Sequence, residues 1–99
     1  MTFRVRVSPK AEADLTDIYE WYEQAQPGLG STFLNSVDVT LRQVAEFPAS
    51  GRLMHTDTRR VLMRRFPYGL SYVINEDDIF VLACFHLRRD PDVWRSRDA

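Results

Sequence analysis

The chain has 99 residues, of which 44% are hydrophobic and 27% charged, a composition that excludes disordered, collagen-like and low-complexity proteins. The formal net charge is −1, but the cations concentrate in residues 52–99, where nine arginines stand against seven acidic residues. The longest apolar run, residues 79–85, is too short to span a bilayer, Arg4 and Arg6 interrupt any signal-peptide core, and the single Cys84 excludes an internal disulfide and fits a reducing cytosol.

The N-terminal segment predicts a strand followed by a helix. Phe3, Val5 and Val7 alternate with polar residues, which is typical of a half-buried strand. Ser8 and Pro9 then predict a helix start, with Ser8 as the N-cap and Pro9 at the first helical position, where its missing N–H is not needed. Apolar residues at helical spacing carry this amphipathic helix to about residue 25.

A second helix is predicted after a short break at Pro27 and Gly28. It begins between residues 29 and 31, and Pro48 ends it. Its apolar stripe consists of Phe33, Val37, Leu41, Val44 and Ala45. Because the break is short, we expect the two helices to be antiparallel neighbours that form a helical hairpin.

The C-terminal half predicts a sheet. Residues 48–58 are rich in turn formers and predict a loop. Three predicted strands follow, over residues 59–66, 70–74 and 79–86, and form an antiparallel meander. The last of them is almost wholly apolar, which predicts burial on both faces at the centre of the sheet. Asp90 and Pro91 then predict a short helical turn.

This order of elements, β-α-α-β-β-β, predicts an α+β fold with a helical hairpin packed on a small, antiparallel-rich sheet. The chain shows no internal repeat and no linker long enough to separate domains. We therefore expect one domain over residues 1–99, ending in the short helical turn.

Three motifs, in this order along the chain, resemble the ParE/RelE toxin superfamily. The first is A-x-x-D-L-x-x-I-x-x-W-Y on the first helix, residues 11–22. The second is R-R-F-P-Y-G-L-S-Y, residues 64–72, and the third is H-L-R-R-D-P-D-V-W-R-S-R, residues 86–97. The resemblance spans nearly the whole chain.

The resemblance implies the toxin of a bacterial type II toxin–antitoxin pair. Such a toxin is cytoplasmic and is silenced by a small cognate antitoxin, ParD-like or similar, in a hetero-oligomeric complex without cofactor, metal or membrane. RelE-like members cleave mRNA in the ribosome. ParE-like members act on DNA gyrase and have no known bond-breaking chemistry.

The residues at the nuclease positions favour the ParE-like branch. RNA cleavage needs a proton acceptor, a proton donor and cations that stabilise the phosphorane. The resemblance places Gly69 where nucleases carry a basic residue, Leu62 where they carry a lysine, and Trp94 near their C-terminal tyrosine. Arg89 is retained. We therefore expect a gyrase inhibitor, with the ribosome-dependent endonuclease as the alternative.

The endonuclease alternative depends on His86, because a strand-end imidazole can act as an acid or base near neutral pH. As a nuclease, the chain would use His86 for proton transfer and Arg64 and Arg89 as phosphate clamps. The structural interpretation is that His86 caps the strand by a hydrogen bond or packs on Trp94. A third hypothesis is an inactive member that retains only antitoxin binding.

Two binding surfaces are predicted. The expected target surface consists of Arg64, Arg65, Arg88, Arg89, Trp94 and Arg97. The expected antitoxin surface includes Trp21, Tyr22 and Arg60. Trp21 and Tyr22 are adjacent on a helix, so we expect one in the core and the other beside an exposed groove. Each neighbouring pair of arginines should point to opposite faces of the sheet, although a solvated charged face explains them equally well.

Overall fold

The computed structural model describes residues 3–89 as two helices packed on one face of a five-stranded sheet. Its elements, in chain order, are β1 (Arg4–Val7), α1 (Pro9–Ala25), α2 (Leu29–Glu46), a 3₁₀ turn (Pro48–Ser50), β2 (Arg52–His55), β3 (Thr58–Leu62), β4 (Tyr68–Asn75) and β5 (Asp78–His86). The predicted α+β class is confirmed.

The strands lie in the order β1-β5-β4-β3-β2. The strands β2 to β5 form an antiparallel meander, while β1 pairs in parallel with β5. This pairing returns the first strand to the side of the last one, with the helical hairpin as the connection between β1 and the meander. The N-terminal half of the chain therefore covers one face of the C-terminal sheet.

The helical hairpin begins and turns where the sequence predicts. The Ser8 hydroxyl accepts a hydrogen bond from the Ala11 N–H at 3.1 Å, and Pro9 is the first residue of α1. Gly28 precedes α2 with a φ of 90°, a left-handed conformation that favours glycine. The Glu23 carboxylate accepts the N–H groups of Gly28 and Gly30, both at 3.0 Å, and so ties the end of α1 to the start of α2.

The core lies between the hairpin and the sheet. The predicted stripe of α2 is buried, with Leu41 half-buried at its side. The largest fully buried side chains are Tyr72, Phe33, Leu70, Ile79, Val44 and Val81. Neither helix in residues 3–89 combines the length and apolar character that a membrane crossing requires.

The structure corrects three details of the predicted sheet. Residues 48–58 are not a loop throughout, because β2 forms there as an edge strand whose four residues bury only Met54. The strand predicted over residues 59–66 ends at Leu62, and residues 64–67 form a bend. The strand β5 lies second in the sheet, not at its centre, although it pairs on both sides.

The strand β5 is buried on both faces only near its C-terminal end. Phe80 and Leu82 are half-buried, whereas Ala83, Cys84 and Phe85 are all buried. A register shift between β4 and β5 at Leu82 changes the alternation there. The predicted C-terminal helical turn lies outside the described residues.

Candidate binding surfaces

A cleft of about 280 Å³ lies between α1 and the end of β5. We call it the α1 cleft. Its lining residues are Asp14, Asp17, Ile18, Trp21, Tyr68, Cys84, His86 and Arg89. Two acidic side chains, Asp14 and Asp17, and one arginine, Arg89, border it, so the cleft is of mixed charge.

Trp21 and Tyr22 divide between the surface and the core, as expected. Trp21 is 55% exposed and borders the α1 cleft. The Tyr22 ring packs against Phe33 at 5.6 Å and Phe66 at 5.0 Å between ring centroids. Burial raises the pKa of the Tyr22 phenol, and the charge of Arg89 offsets part of this rise. Tyr22 therefore stabilises the hairpin on the sheet, while Trp21 is accessible.

Arg89 closes one side of the α1 cleft. Its guanidinium group donates a 2.8 Å hydrogen bond to the Tyr68 hydroxyl. The same group lies 5.5 Å from the centre of the Trp21 ring, within the range of a cation–π interaction. These contacts hold an arginine beside an exposed aromatic ring.

His86 caps the end of β5. Its Nδ1 accepts the N–H groups of Arg88 and Arg89 at 3.0 and 2.9 Å, and its ring packs edge-on against Tyr68 at 5.0 Å. This matches the structural interpretation of His86 as a hydrogen-bonded cap. Since both bonds need an unprotonated Nδ1, this nitrogen is not available for proton transfer.

The acidic side of the α1 cleft is also tied to the chain. The Asp14 carboxylate accepts the Cys84 N–H at 3.1 Å and the Lys10 ammonium at 3.0 Å. It therefore links α1 to β5. Among residues 3–89, no three histidine, cysteine or acidic side chains lie close enough together to hold a metal ion.

A second depression, of about 400 Å³, runs along the exposed side of α2. We call it the α2 groove. One wall is an uncharged stripe of the helix, formed by Thr32, Asn35, Ser36, Val39, Thr40 and Gln43. The other wall consists of Leu62, Arg64 and Arg65. Val39 is 53% exposed and Leu62 is 46% exposed, so the groove offers apolar surface as well as positive charge.

On the sheet face opposite the helices, apolar side chains surround the position where the family resemblance expects a nuclease to carry a cation. Leu62 pairs with Gly69, and Gly69 pairs with Phe85, so the three residues share this face. A Cβ atom at Gly69 would lie 2.9 Å from Phe85 Cζ and 3.3 Å from Leu62 Cδ2. Phe85 itself is only 3% exposed. Position 69 therefore lacks both a charge and the space for one.

The structure separates the residues predicted for the target surface. Arg64 and Arg65 line the α2 groove, whereas Arg89 lines the α1 cleft. Arg88 is exposed in the turn that follows β5. Trp94 and Arg97 lie outside the described residues.

The residues predicted for the antitoxin surface are also separated. Arg60 pairs with Ser71, on the face of the sheet away from Trp21 and Tyr22. Its neighbour Arg59 donates to the Gly51 carbonyl at 2.8 Å from the other face, as the alternation predicts. Strand alternation does not apply to the other two arginine pairs, because β3 and β5 end before them.

Sequence reasoning missed Val39 and Asp14. Val39 is an apolar residue outside the predicted core stripe of α2, which is the signal that could have identified it. Asp14 stood in the family motif, but its bond to the Cys84 N–H joins residues 70 positions apart and has no local signal.

Residues 5–91 match the family model described as ParE toxin of type II toxin-antitoxin system, parDE. The chain is also similar to Toxin ParE2 of Mycobacterium tuberculosis. The identity is 27% over 93 residues, which cover 93% of this chain and 89% of that protein. The same figures hold for ParE2 in a second strain of that organism.

Two solved structures share the fold. The chromosomal ParDE TA system from P. aeruginosa contains a chain with a TM-score of 0.76 and 17% identity, covering 86% of this chain and 96% of that chain. A mutant of the E. coli toxin RelE in the free state has a TM-score of 0.69 and 18% identity, with 99% and 95% covered. The fold is thus common to a ParDE system and to RelE, so it does not by itself separate the two activities.

Proposed function

Because this chain belongs to the ParE toxin family of type II toxin–antitoxin systems, we propose that it inhibits DNA gyrase by binding it and that a cognate antitoxin neutralises it in a hetero-oligomeric complex. The chain would meet both gyrase and the antitoxin in the cytoplasm. The chain would act without cofactor or metal and without breaking a bond.

The main support for this proposal is that neighbouring apolar side chains leave no space for a cation at Gly69. A nuclease of this fold needs cations on the sheet to stabilise the charge that develops on the phosphate. Here Leu62 and Phe85 occupy the space around Gly69 instead, and Phe85 is buried. A scissile phosphate would meet an apolar surface there. Losing one such cation typically costs about 3 kcal/mol of transition-state stabilisation.

The position of His86 also supports binding over cleavage. Its ring lies in the α1 cleft against Tyr68, and its Nδ1 is occupied by two backbone N–H groups. Gly69 and Leu62 lie on the opposite face of the sheet, because Cys84 and His86 alternate with Phe85. The imidazole and the face expected to carry the nuclease cations therefore do not form one site.

We place the gyrase contact at the α1 cleft and the turn beyond it. Trp21 and Arg89 are of the residue types that dominate protein interfaces, and they lie together at the surface. Arg88 adds a second exposed cation. This end of the molecule combines an aromatic anchor with positive charge.

The alternative, ribosome-dependent cleavage by His86 with Arg64 and Arg89, requires these three side chains to converge on one phosphate. Arg64 lines the α2 groove, whereas Arg89 and His86 line the α1 cleft. Their separation weakens the alternative. An inactive member that only binds antitoxin would retain the fold and lose inhibition.

The test compares two reactions with the same purified chain. In one, DNA gyrase supercoils relaxed plasmid; in the other, ribosomes translate a defined mRNA. We expect inhibited supercoiling and intact mRNA. The variant Arg88→Ala/Arg89→Ala should need about ten times more protein for the same inhibition.

The matched control is Arg42→Ala, which removes an exposed arginine of α2 that pairs with Asp38. We expect it to inhibit as the original chain does. Cleaved mRNA with unaffected gyrase would replace this proposal with the nuclease, and inactivity in both reactions would leave the inactive member.

A further inference from the structure

Three separate contacts hold Arg89 beside the α1 cleft. Its guanidinium group donates to the Tyr68 hydroxyl at 2.8 Å and lies 5.5 Å from the centre of the Trp21 ring. Its backbone N–H donates to His86 Nδ1 at 2.9 Å. An arginine side chain has many rotamers and gives up this freedom when a partner fixes it. Because Arg89 is already restrained, it would lose less side-chain entropy on binding.

The Tyr68 hydroxyl is held by packing around its ring. Tyr68 lies on β4, where it pairs with His86, and is only 4% exposed. Its ring contacts Phe33 at 5.6 Å and the His86 ring at 5.0 Å between ring centroids. The hydroxyl oxygen therefore accepts the Arg89 hydrogen bond from a fixed position.

The bond to Tyr68 leaves most of the Arg89 guanidinium group available. A guanidinium group has five N–H donors. Within residues 3–89, the Arg89 group uses one of them, in its bond to Tyr68, and forms no salt bridge. The side chain is exposed, so its other donors can contact a partner.

The same cleft contains a carboxylate that competes for Arg89. Asp14 and Asp17 line the cleft together with Arg89. Asp14 already accepts the Cys84 N–H at 3.1 Å. Asp17 is exposed and forms no salt bridge with any residue that the structure describes. Because the cleft has a volume of only about 280 Å³, an arginine released from Tyr68 can reach Asp17 and pair with it.

We propose that Tyr68 is a positioning residue for target recognition, whose hydroxyl directs the Arg89 guanidinium group toward gyrase and keeps it from pairing with Asp17. Without the hydroxyl, the charge of Arg89 is neutralised inside the chain, and gyrase must break that pair before it binds. Tyr68 thus acts through Arg89. This inference rests on the proposed function, since that function supplies gyrase as the target.

The test removes the hydroxyl and keeps the ring. With Tyr68→Phe, we expect about five times more protein to be needed for the same inhibition of gyrase supercoiling. The matched control is Tyr72→Phe, which removes a buried hydroxyl of the same strand that donates to the Pro48 carbonyl at 2.7 Å. Tyr72 lines neither the α1 cleft nor the α2 groove, so inhibition should change by less than about twofold.

A second variant separates positioning from a loss of structure. In Tyr68→Phe/Asp17→Asn, the released arginine meets no carboxylate at position 17. This double variant should therefore inhibit gyrase within about twofold of Asp17→Asn alone. When Arg89→Ala is already present, adding Tyr68→Phe should have no further effect, because the hydroxyl acts only through the arginine.

Trp21 reports the position of Arg89 without gyrase. The chain has two tryptophans, so Trp94→Phe leaves Trp21 as the single source of tryptophan fluorescence. In this background, Tyr68→Phe should shift the Trp21 emission in the same direction as Arg89→Ala does, because both remove the cation from the ring. Tyr72→Phe should leave the emission unchanged.

The outcomes separate this inference from the proposed function. Weakened inhibition by Tyr68→Phe that Asp17→Asn restores, with a shifted Trp21 emission, supports the positioning role. Full inhibition by Tyr68→Phe overturns that role and leaves gyrase inhibition standing. Weakened inhibition that Asp17→Asn does not restore assigns Tyr68 to the target contact or to the fold, and overturns the inference as well. If the original chain does not inhibit gyrase, the proposed function fails and the inference fails with it, even where the emission shows that Tyr68 positions Arg89.

Discussion

The α1 cleft and the α2 groove differ in what their charged groups contact. In the α1 cleft, Asp14 bonds to Lys10 and to the backbone of β5, and Arg89 bonds to Tyr68. In the α2 groove, Arg64 and Arg65 face an uncharged wall. Charges that are satisfied within the chain position the end of β5, whereas charges that face an uncharged wall are available to a partner. The first region should therefore affect stability more than the second.

The largest effect is expected in the core beneath α1. Tyr22→Ala removes a ring packed against Phe33 and Phe66, so we expect a loss of about 3 kcal/mol in the free energy of unfolding. Urea denaturation measures it. Trp21→Ala is the matched control on the next residue, and its exposed ring should contribute less than about 1 kcal/mol. Equal losses for the two variants would contradict the division between core and surface.

A smaller loss is expected when a cation is forced into the filled face of the sheet. Gly69→Arg must displace Phe85 or Leu62, which should destabilise the chain by about 1–3 kcal/mol. We expect no gain of mRNA cleavage in translating ribosomes. Leu62→Lys is the control, because Leu62 is 46% exposed and accepts a long side chain. A stable Gly69→Arg variant that cleaves mRNA would show that this face is a nuclease surface lacking one cation.

Replacing the cap of β5 should have a local effect. His86→Phe keeps a ring against Tyr68 and removes the Nδ1 acceptor of the Arg88 and Arg89 N–H groups. We expect a loss of about 1 kcal/mol. Hydrogen exchange at these two N–H groups should accelerate, while exchange in α2 stays unchanged. Uniform acceleration along the chain would mean that His86 supports the whole core and not the turn.

The smallest effect is expected where β1 pairs with β5, a second place where charges are satisfied within the chain. Desolvation by burial tends to raise the pKa of Asp78, but hydrogen bonds from Arg6 and Arg4 outweigh it and hold the pKa below its ordinary value. A carboxyl with a lowered pKa stabilises the fold at neutral pH, and this contribution disappears as the pH falls through the folded-state pKa.

Asp78→Asn should therefore lower stability slightly at neutral pH and flatten its decline toward acid. Thermal unfolding at a series of pH values measures this. Glu76→Gln, in the adjacent exposed turn, is the control and should retain the original pH profile. An acid profile of Asp78→Asn identical to that of the original chain would contradict the role of the two arginines.

The sequence predicted the elements that depend on local signals. Ser8 and Pro9 start α1 as expected, and Pro27 and Gly28 mark the turn of the hairpin. The core stripe of α2 follows from helical spacing alone. The edge strand β2 escaped prediction because its four residues, R-L-M-H, show no alternation of apolar and polar side chains and owe their conformation to pairing with β3.

The binding surfaces were less predictable, because they depend on the register between strands. The sequence indicates that Gly69 carries no charge, but only the pairing of Gly69 with Phe85 and Leu62 shows that the space is filled. The sequence groups the expected target arginines because they lie on or beside neighbouring predicted strands. The ends of β3 and β5 direct them to different sides of the molecule.

The decisive measurement is DNA supercoiling by gyrase in the presence of increasing amounts of the purified chain, with mRNA cleavage in translating ribosomes followed in parallel. We expect inhibition of supercoiling that weakens in Arg88→Ala/Arg89→Ala and persists in Arg42→Ala, with the mRNA intact throughout. Supercoiling at the uninhibited rate, together with cut mRNA, would contradict a toxin that acts by binding alone.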